Sequence, residues 1–146
     1  MDKVFHFDSP PGQYRADACV VTCFDARFTT AIAKFLKRMG IATYDQVKVP
    51  GSVKALAAPD GDADRDYLLR AIQVSLRLHQ PSRILLIGHN ECGAYGGAPA
   101  DIIIGDLFRA ALVLKGAEPS FPVECYFADF DGIYKCGPNG AATISE

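Results

Sequence analysis

The stretch Arg83-Ile84-Leu85-Leu86-Ile87-Gly88-His89-Asn90-Glu91-Cys92-Gly93 joins four consecutive large apolar residues to a short loop carrying a histidine and a cysteine. An unbroken apolar run of this length, closed by glycine, predicts a strand buried on both faces, as when helices cover both sides of a sheet. Gly88 ends the run and His89 follows it directly. Upstream, Ala18 to Thr22 is a second short apolar, β-branched run that stops at Cys23. It too reads as a buried parallel strand, so two strand ends deliver Cys23 and His89.

Between these two strands the sequence alternates helical and extended patterns. From Thr29 onward, Ile32, Phe35, Leu36 and Met39 recur at helical spacing, with Thr29 as the expected N-cap and Gly40 as the stop. Gln46 to Val49 reads as a short strand ended by Pro50 and Gly51. After the turn-rich Pro59-Asp60-Gly61-Asp62, Asp64 is expected to cap a helix whose Leu68, Ile72, Leu76 and His79 share one face and which ends before Pro81. Downstream, a third helix is expected over about Ala100 to Lys115, closing at Gly116, then a fourth strand over Val123 to Ala128 and a turn at Asp131 and Gly132. The residues around Gly137-Pro138-Asn139-Gly140 are expected to return as a short hairpin strand.

This alternation implies right-handed crossovers and an α/β fold: a doubly wound, mostly parallel sheet of about four strands in the order 2-1-3-4, with helices on both faces. Residues 1–146 are expected to form a single domain, which their length and 49% apolar content allow. In such sheets ligands bind outside the carboxyl ends of the strands, at the topological switch point. In a 2-1-3-4 order that point lies between the strands that carry Cys23 and His89.

Charge excludes some classes of partner. The net charge of −2 and the scattered lysines and arginines supply no single-sign field for nucleic acid or an anionic membrane, so neither is expected as a partner. The apolar stretches are far shorter than the roughly 20 residues that span a bilayer. Met1 to His6 carries no apolar core of a secretory signal, and a cytoplasmic location is the expectation. Five unevenly spaced cysteines do not resemble the framework of a small secreted domain, which raises ligand or catalytic roles for some of them.

His89 and Cys92 form an H-x-x-C step on a loop bounded by Gly88 and Gly93, so both side chains can turn toward one point that Cys23 approaches from the adjacent strand. Two thiolates and one imidazole suit Zn2+, and a fourth position is left for water, substrate or a carboxylate. A three-ligand site reads as catalytic. Zinc can bring the pKa of bound water to about 7, making hydroxide available for attack on an electrophilic carbon.

Cys23-Phe24-Asp25-Ala26-Arg27 is a C-x-D-x-R pattern, and together with the H-x-x-C loop it resembles the β-class carbonic anhydrases over roughly Ala18 to Ala128. The resemblance implies zinc-dependent, reversible hydration of carbon dioxide to bicarbonate and a proton by zinc-bound hydroxide, with Cys23, His89 and Cys92 as ligands. It further implies that Asp25 accepts a hydrogen bond from that hydroxide or ligates the metal at rest, while Arg27 holds Asp25 away through a charge-assisted pair. An ordinary loop salt bridge at the start of the first helix is the alternative for this dyad. Where the family has Arg-Asn-Ala-Gly after the second strand, this chain has Lys48-Val49-Pro50-Gly51, and lysine lacks arginine's planar fork. Gly12-Gln13 resembles a family segment that contacts substrate, with Gln13 one residue farther from the first ligand. A homodimer or higher homo-oligomer is implied as well, because open sheets leave edges.

Other candidates read as structural. Cys19 and Cys125 lie inside strands and fit the core. Cys136 is open between an exposed thiol and a substitute ligand. His79 ends a helix and His6 lies near the N-terminus, while Gly93, Gly96 and Gly97 lack the Lys-Ser or Lys-Thr of a phosphate loop. Three functional readings follow: a zinc lyase acting on carbon dioxide, or a related hydrolase of carbonyl sulfide or carbon disulfide; a non-catalytic zinc-binding or regulatory homologue; and a thiol redox protein using Cys23 and Cys92.

Overall fold

The structure is a computed structural model that describes residues 1–137 and the backbone of 142–143. Its elements are β1 (Ala18–Thr22), α1 (Ala26–Arg38), β2 (Tyr44–Lys48), α2 (Ala63–His79), β3 (Ile84–His89), α3 (Ala100–Ala117), β4 (Val123–Ala128), β5 (Ile133–Cys136) and β6 (Ala142–Thr143). They form one sheet in the order β2-β1-β3-β4-β5-β6, parallel from β2 to β4 and antiparallel from β4 onward.

The period of two within β3 divides the core. Ile84 and Leu86 pack against α2 and α3 with Cys19, Val21, Leu68, Ile72, Ile103, Leu107 and Leu114. Leu85 and Ile87 face the other way, onto Phe28 and Leu36 of α1 with Val20 and Tyr126. All four β3 side chains are sealed from solvent, and each such burial stabilises by about 1.5–3 kcal/mol. Topology dictates this layering. The chain moves from β1 to β2 in one direction and from β2 across to β3 and β4 in the other, so right-handed crossovers put α1 on one face and α2 with α3 on the opposite face.

Gly88 is required by close packing. A Cβ at that position would lie 2.8 Å from Ile103 Cγ2, so α3 sits against a strand end that only glycine permits. The β1–β3 register pairs Thr22 with Ile87, which brings Cys23 out of the sheet beside Gly88 and one step from His89.

Helix starts differ from those expected. The N-cap of α1 is Asp25, whose carboxylate accepts from the Arg27 backbone N–H at 3.0 Å, and Thr29 lies inside the helix. Likewise Asp62 caps α2, accepting from the N–H groups of Asp64 and Arg65, each at 3.0 Å. Strand β2 begins at Tyr44, before the expected Gln46. The returning strand forms earlier than expected, at Ile133–Cys136, and the Pro138-Asn139-Gly140 part of the expected hairpin lies outside the described residues. No helix among the described residues is long and apolar enough to cross a membrane.

Candidate metal centre

Cys23 leaves the end of β1, His89 is the last residue of β3, and Cys92 follows on the loop that enters a short 3-10 turn at Gly93–Tyr95. The three side chains are buried and their ligand atoms all lie within 4.8 Å of one another. The two sulfurs are 4.0 Å apart. Both cysteines are free, and burial pushes the Cys92 thiol above its ordinary pKa, which disfavours thiolate there unless a cation offsets the charge.

The histidine is oriented for the same point. Its Nδ1 lies 2.7 Å from the Asn90 carbonyl oxygen, an acceptor, so Nδ1 carries the proton and the neutral ring presents the Nε2 lone pair inward. Nε2 is buried and has no hydrogen-bond partner. Its distance of 3.9 Å to Asp25 Oδ2 is too long for a hydrogen bond. A buried nitrogen lone pair left unpaired costs free energy, and a metal ion is the partner that a ring so fixed is suited to take. The S,S,N donor set and the orphaned Nε2 therefore fit a soft or borderline cation of the zinc type.

Phe28 packs against the His89 ring, tilted by 35° with 4.7 Å between centroids, and closes that side of the site. Asp25 is turned to the site edge by Arg27, whose Nε reaches Oδ1 at 3.1 Å and whose Nη2 reaches Oδ2 at 2.8 Å. With the capped backbone N–H, these bonds hold the Asp25 carboxyl at a pKa of about 2. The same guanidinium donates to the Glu91 carbonyl at 3.0 Å and its carboxylate at 3.2 Å, tying the β1 loop to the β3 loop. Neither Glu91 nor the orienting Asn90 carbonyl stood out in the sequence. Both lie inside the H-x-x-C step, but nothing in their residue types signals an Arg27 partner or a backbone acceptor.

A cleft of about 520 Å³ opens beside the sulfurs, lined by Cys23, Phe24, Asp25, Ala26, Pro50, Cys92, Gly93 and Ala94. Apart from Asp25 and the two thiols its walls are apolar. Pro50 reaches it because Gly51 turns at φ +73 with Ala94 close by, where a Cβ would come within 3.2 Å.

The family model described as "Putative carbonic anhydrase" matches residues 14–135. The chain belongs to this family. It is a divergent β-class carbonic anhydrase relative, as its structural neighbours also indicate. A carbonic anhydrase from Streptococcus mutans superposes with a TM-score of 0.64 at 16% identity, covering 90% of this chain and 88% of that one. A tetrameric β-carbonic anhydrase from Sordaria macrospora gives 0.60 at 14% identity, over 91% and 84% of the two chains. A carbon disulfide hydrolase gives 0.53 at 13% identity, over 91% and 87%. An uncharacterized protein of Rickettsia bellii is 24% identical over 130 residues, 81% of this chain and 79% of that protein.

Within this carbonic anhydrase fold the remaining sequence candidates sit elsewhere. Cys19 is a core residue, Cys125 and Cys136 are buried between β4, β5 and α3, and none of them joins the metal cluster. Gln13 is exposed and lines grooves beside Tyr14 and His79 or Tyr44, not the cleft at Cys23. Lys48 ends β2 exposed, outside the cleft, on a separate small cavity of about 120 Å³ that it shares with Thr22, Gln46 and Cys23. His79 is bonded to Asp45, Nδ1 to Oδ2 at 2.7 Å, in a cluster with Ser75 and Tyr14.

Proposed function

We propose that this protein is a zinc-dependent carbonic anhydrase, hydrating carbon dioxide reversibly to bicarbonate and a proton. The observation that carries the reading is the meeting of Cys23, His89 and Cys92, with an unpartnered His89 Nε2, at the mouth of an apolar cleft. Those three residues would hold Zn2+, which when bound supplies Lewis acidity and a water acidified to near neutrality.

The chain's own groups then have distinct tasks. The Asn90 carbonyl fixes the His89 tautomer and leaves Nε2 as the ring atom facing the metal position. Asp25, ionised at any pH well above 2, accepts a hydrogen bond at Oδ2 from water or bicarbonate in the cleft. Arg27 fixes which oxygen lone pairs of Asp25 face the cleft and opposes its swing toward the metal position. Phe24, Ala26, Pro50 and Ala94 give a small apolar substrate an apolar approach, which suits carbon dioxide.

A related hydrolase of carbon disulfide or carbonyl sulfide is the second reading, favoured by the similarity to a carbon disulfide hydrolase and by Pro50 in the cleft wall. Retention of the metal without turnover, in a regulatory homologue, is the third. Among the described residues β2 ends the sheet with one edge unpaired, and with a tetrameric neighbour this supports a homo-oligomer. A single domain and a cytoplasmic location complete the proposal.

Stopped-flow carbon dioxide hydration, on protein with quantified zinc beside Asp25→Ala and a zinc-free control, tests it. Zinc-dependent turnover that the variant loses is the expected result. One zinc per chain with no hydration at any pH, but hydrolysis of carbon disulfide, would move the assignment to the second reading.

A further inference from the structure

Cys125 on β4 and Cys136 on β5 are direct register partners in an antiparallel pair. Partners in such a pair project to the same face, and both sulfurs lie on the α3 side, in the core cluster with Leu107 and Ala111. Opposed residues in antiparallel strands have Cα atoms about 4.5–5.5 Å apart, inside the roughly 4.4–6.8 Å range that a disulfide requires. Both cysteines line one cavity of about 350 Å³, with Phe108, Lys115 and Lys135 among its walls. The pair lies away from the metal cluster: β4 is level with β3 at Cys125↔Leu86, three residues or about 10 Å along the strand from His89↔Ala128.

We propose that Cys125 and Cys136 form a redox-active dithiol, a modification site separate from the metal centre, which an anionic low-molecular-weight disulfide oxidises to an intrachain disulfide. Cys136, at the end of its strand, attacks first. Its thiolate bonds to one sulfur of the small disulfide, that S–S bond breaks, and one half leaves as a thiol. Cys125, whose Sγ contacts the Leu107 carbonyl at 3.5 Å in the reduced form, then attacks Cys136 Sγ and expels the other half. Two protein thiols are oxidised, one small disulfide is reduced to two thiols, and the two protons pass to those thiols. The cavity's charged walls are Lys115, Lys135 and Glu124, with Lys135 pairing with Glu124 at 3.7 Å, so a net positive lining favours an anionic oxidant. Burial pushes Cys136 up to about 11 and Cys125 up to about 12, so exchange is slow at neutral pH and quickens as pH rises.

The test exposes the protein as purified, with its zinc quantified, to glutathione disulfide at alkaline pH. Non-reducing peptide mapping and zinc analysis follow. The expected product is a Cys125–Cys136 crosslink with zinc content unchanged, and Cys125→Ser is expected to stop at a stable glutathione adduct on Cys136. Reaction with an uncharged small disulfide is expected to be slower. Absence of the crosslink under conditions that oxidise the urea-unfolded chain overturns the proposal, as does prior pairing of Cys23 with Cys92. The wild-type result needs no variant to fold. Because it reads a bond rather than turnover, it is independent of whether the carbonic anhydrase reading survives.

Discussion

The Arg27 guanidinium grips both carboxylate oxygens of Asp25, Nη2 to Oδ2 at 2.8 Å and Nε to Oδ1 at 3.1 Å, while the Arg27 backbone N–H caps onto the same carboxylate. One residue thus supplies the ion pair and the helix cap together. This arrangement lowers the Asp25 pKa from its ordinary 3.8 to about 2, chiefly through the Arg27 side-chain bonds. A depressed folded-state value makes the contribution to stability full above the unfolded pKa and lost as pH falls from about 4 toward about 2. Arg27→Ala is expected to raise the Asp25 pKa, visible by carboxyl NMR, and to reduce hydration activity by about 10–100-fold. Arg27→Lys should recover part of the charge effect but not the two-oxygen grip. An unchanged Asp25 titration in Arg27→Ala would refute the coupling.

Metal content offers a second check. Wild-type protein is expected to carry about one zinc per chain, and Cys23→Ser, His89→Ala and Cys92→Ser to lose most of it, by elemental analysis after dialysis. Removal with a chelator should lower the thermal midpoint, since a cation bound only by the native state stabilises that state. Full zinc content in any of the three variants would remove that residue from the ligand set.

Packing at the strand end can be measured separately. Gly88→Ala places a methyl 2.8 Å from Ile103 Cγ2 and is expected to destabilise by about 1–3 kcal/mol. The double variant Gly88→Ala/Ile103→Ala should lose less than the sum of the two single losses, because the first change fills space that the second vacates. Denaturant melts of the four proteins read the coupling directly, and strict additivity would show that Ile103 is not the obstacle.

A polar cluster at the opposite end of the sheet gives a pH prediction of its own. Burial alone would raise the Asp45 pKa, but hydrogen bonds from Ser75, Tyr14 and His79 outweigh it and hold the carboxyl below its ordinary value. Stability from Asp45 is therefore present above its unfolded pKa and lost as pH falls through the lowered one. Asp45→Asn is expected to cost about 1–3 kcal/mol at neutral pH, and the loss should shrink in acid. Thermal melts of both proteins from pH 7 to pH 3 would show the curves converge; parallel curves would count against a charge effect.

Much of the site was legible because its signals are local. Four apolar residues ending at Gly88 announce β3, and the next four residues carry His89 and Cys92. The expected 2-1-3-4 order is the one observed, and by placing β1 beside β3 it brings Cys23 to the same place. The helices start earlier than expected because the apolar periodicity used to place them begins only at Ile32 and Leu68, whereas Asp25 and Asp62 cap ahead of it through backbone N–H groups. Asp62 both ends the preceding turn and caps the helix, so its residue type fits either role. Contacts such as Tyr14 to Asp45 and His79 to Asp45 span 31 and 34 residues and have no sequence spacing to betray them. Cys136 was open for the same reason: its partner is defined by β5, and β5 by a turn whose pairing sequence pattern did not fix.

The proposed ligands come from the ends of two neighbouring strands that are far apart along the chain, and this bears on when the site comes into being. In an unfolded chain only His89 and Cys92 are close enough to chelate together, whereas Cys23 arrives after Thr22 has paired with Ile87. If these residues hold zinc as proposed, tight uptake waits for a slow, long-range event, the docking of β1 against β3. A cobalt or other spectroscopic probe ion added during refolding would serve as a clock for that single step, its band gaining the second thiolate's intensity only as the parallel centre of the sheet closes.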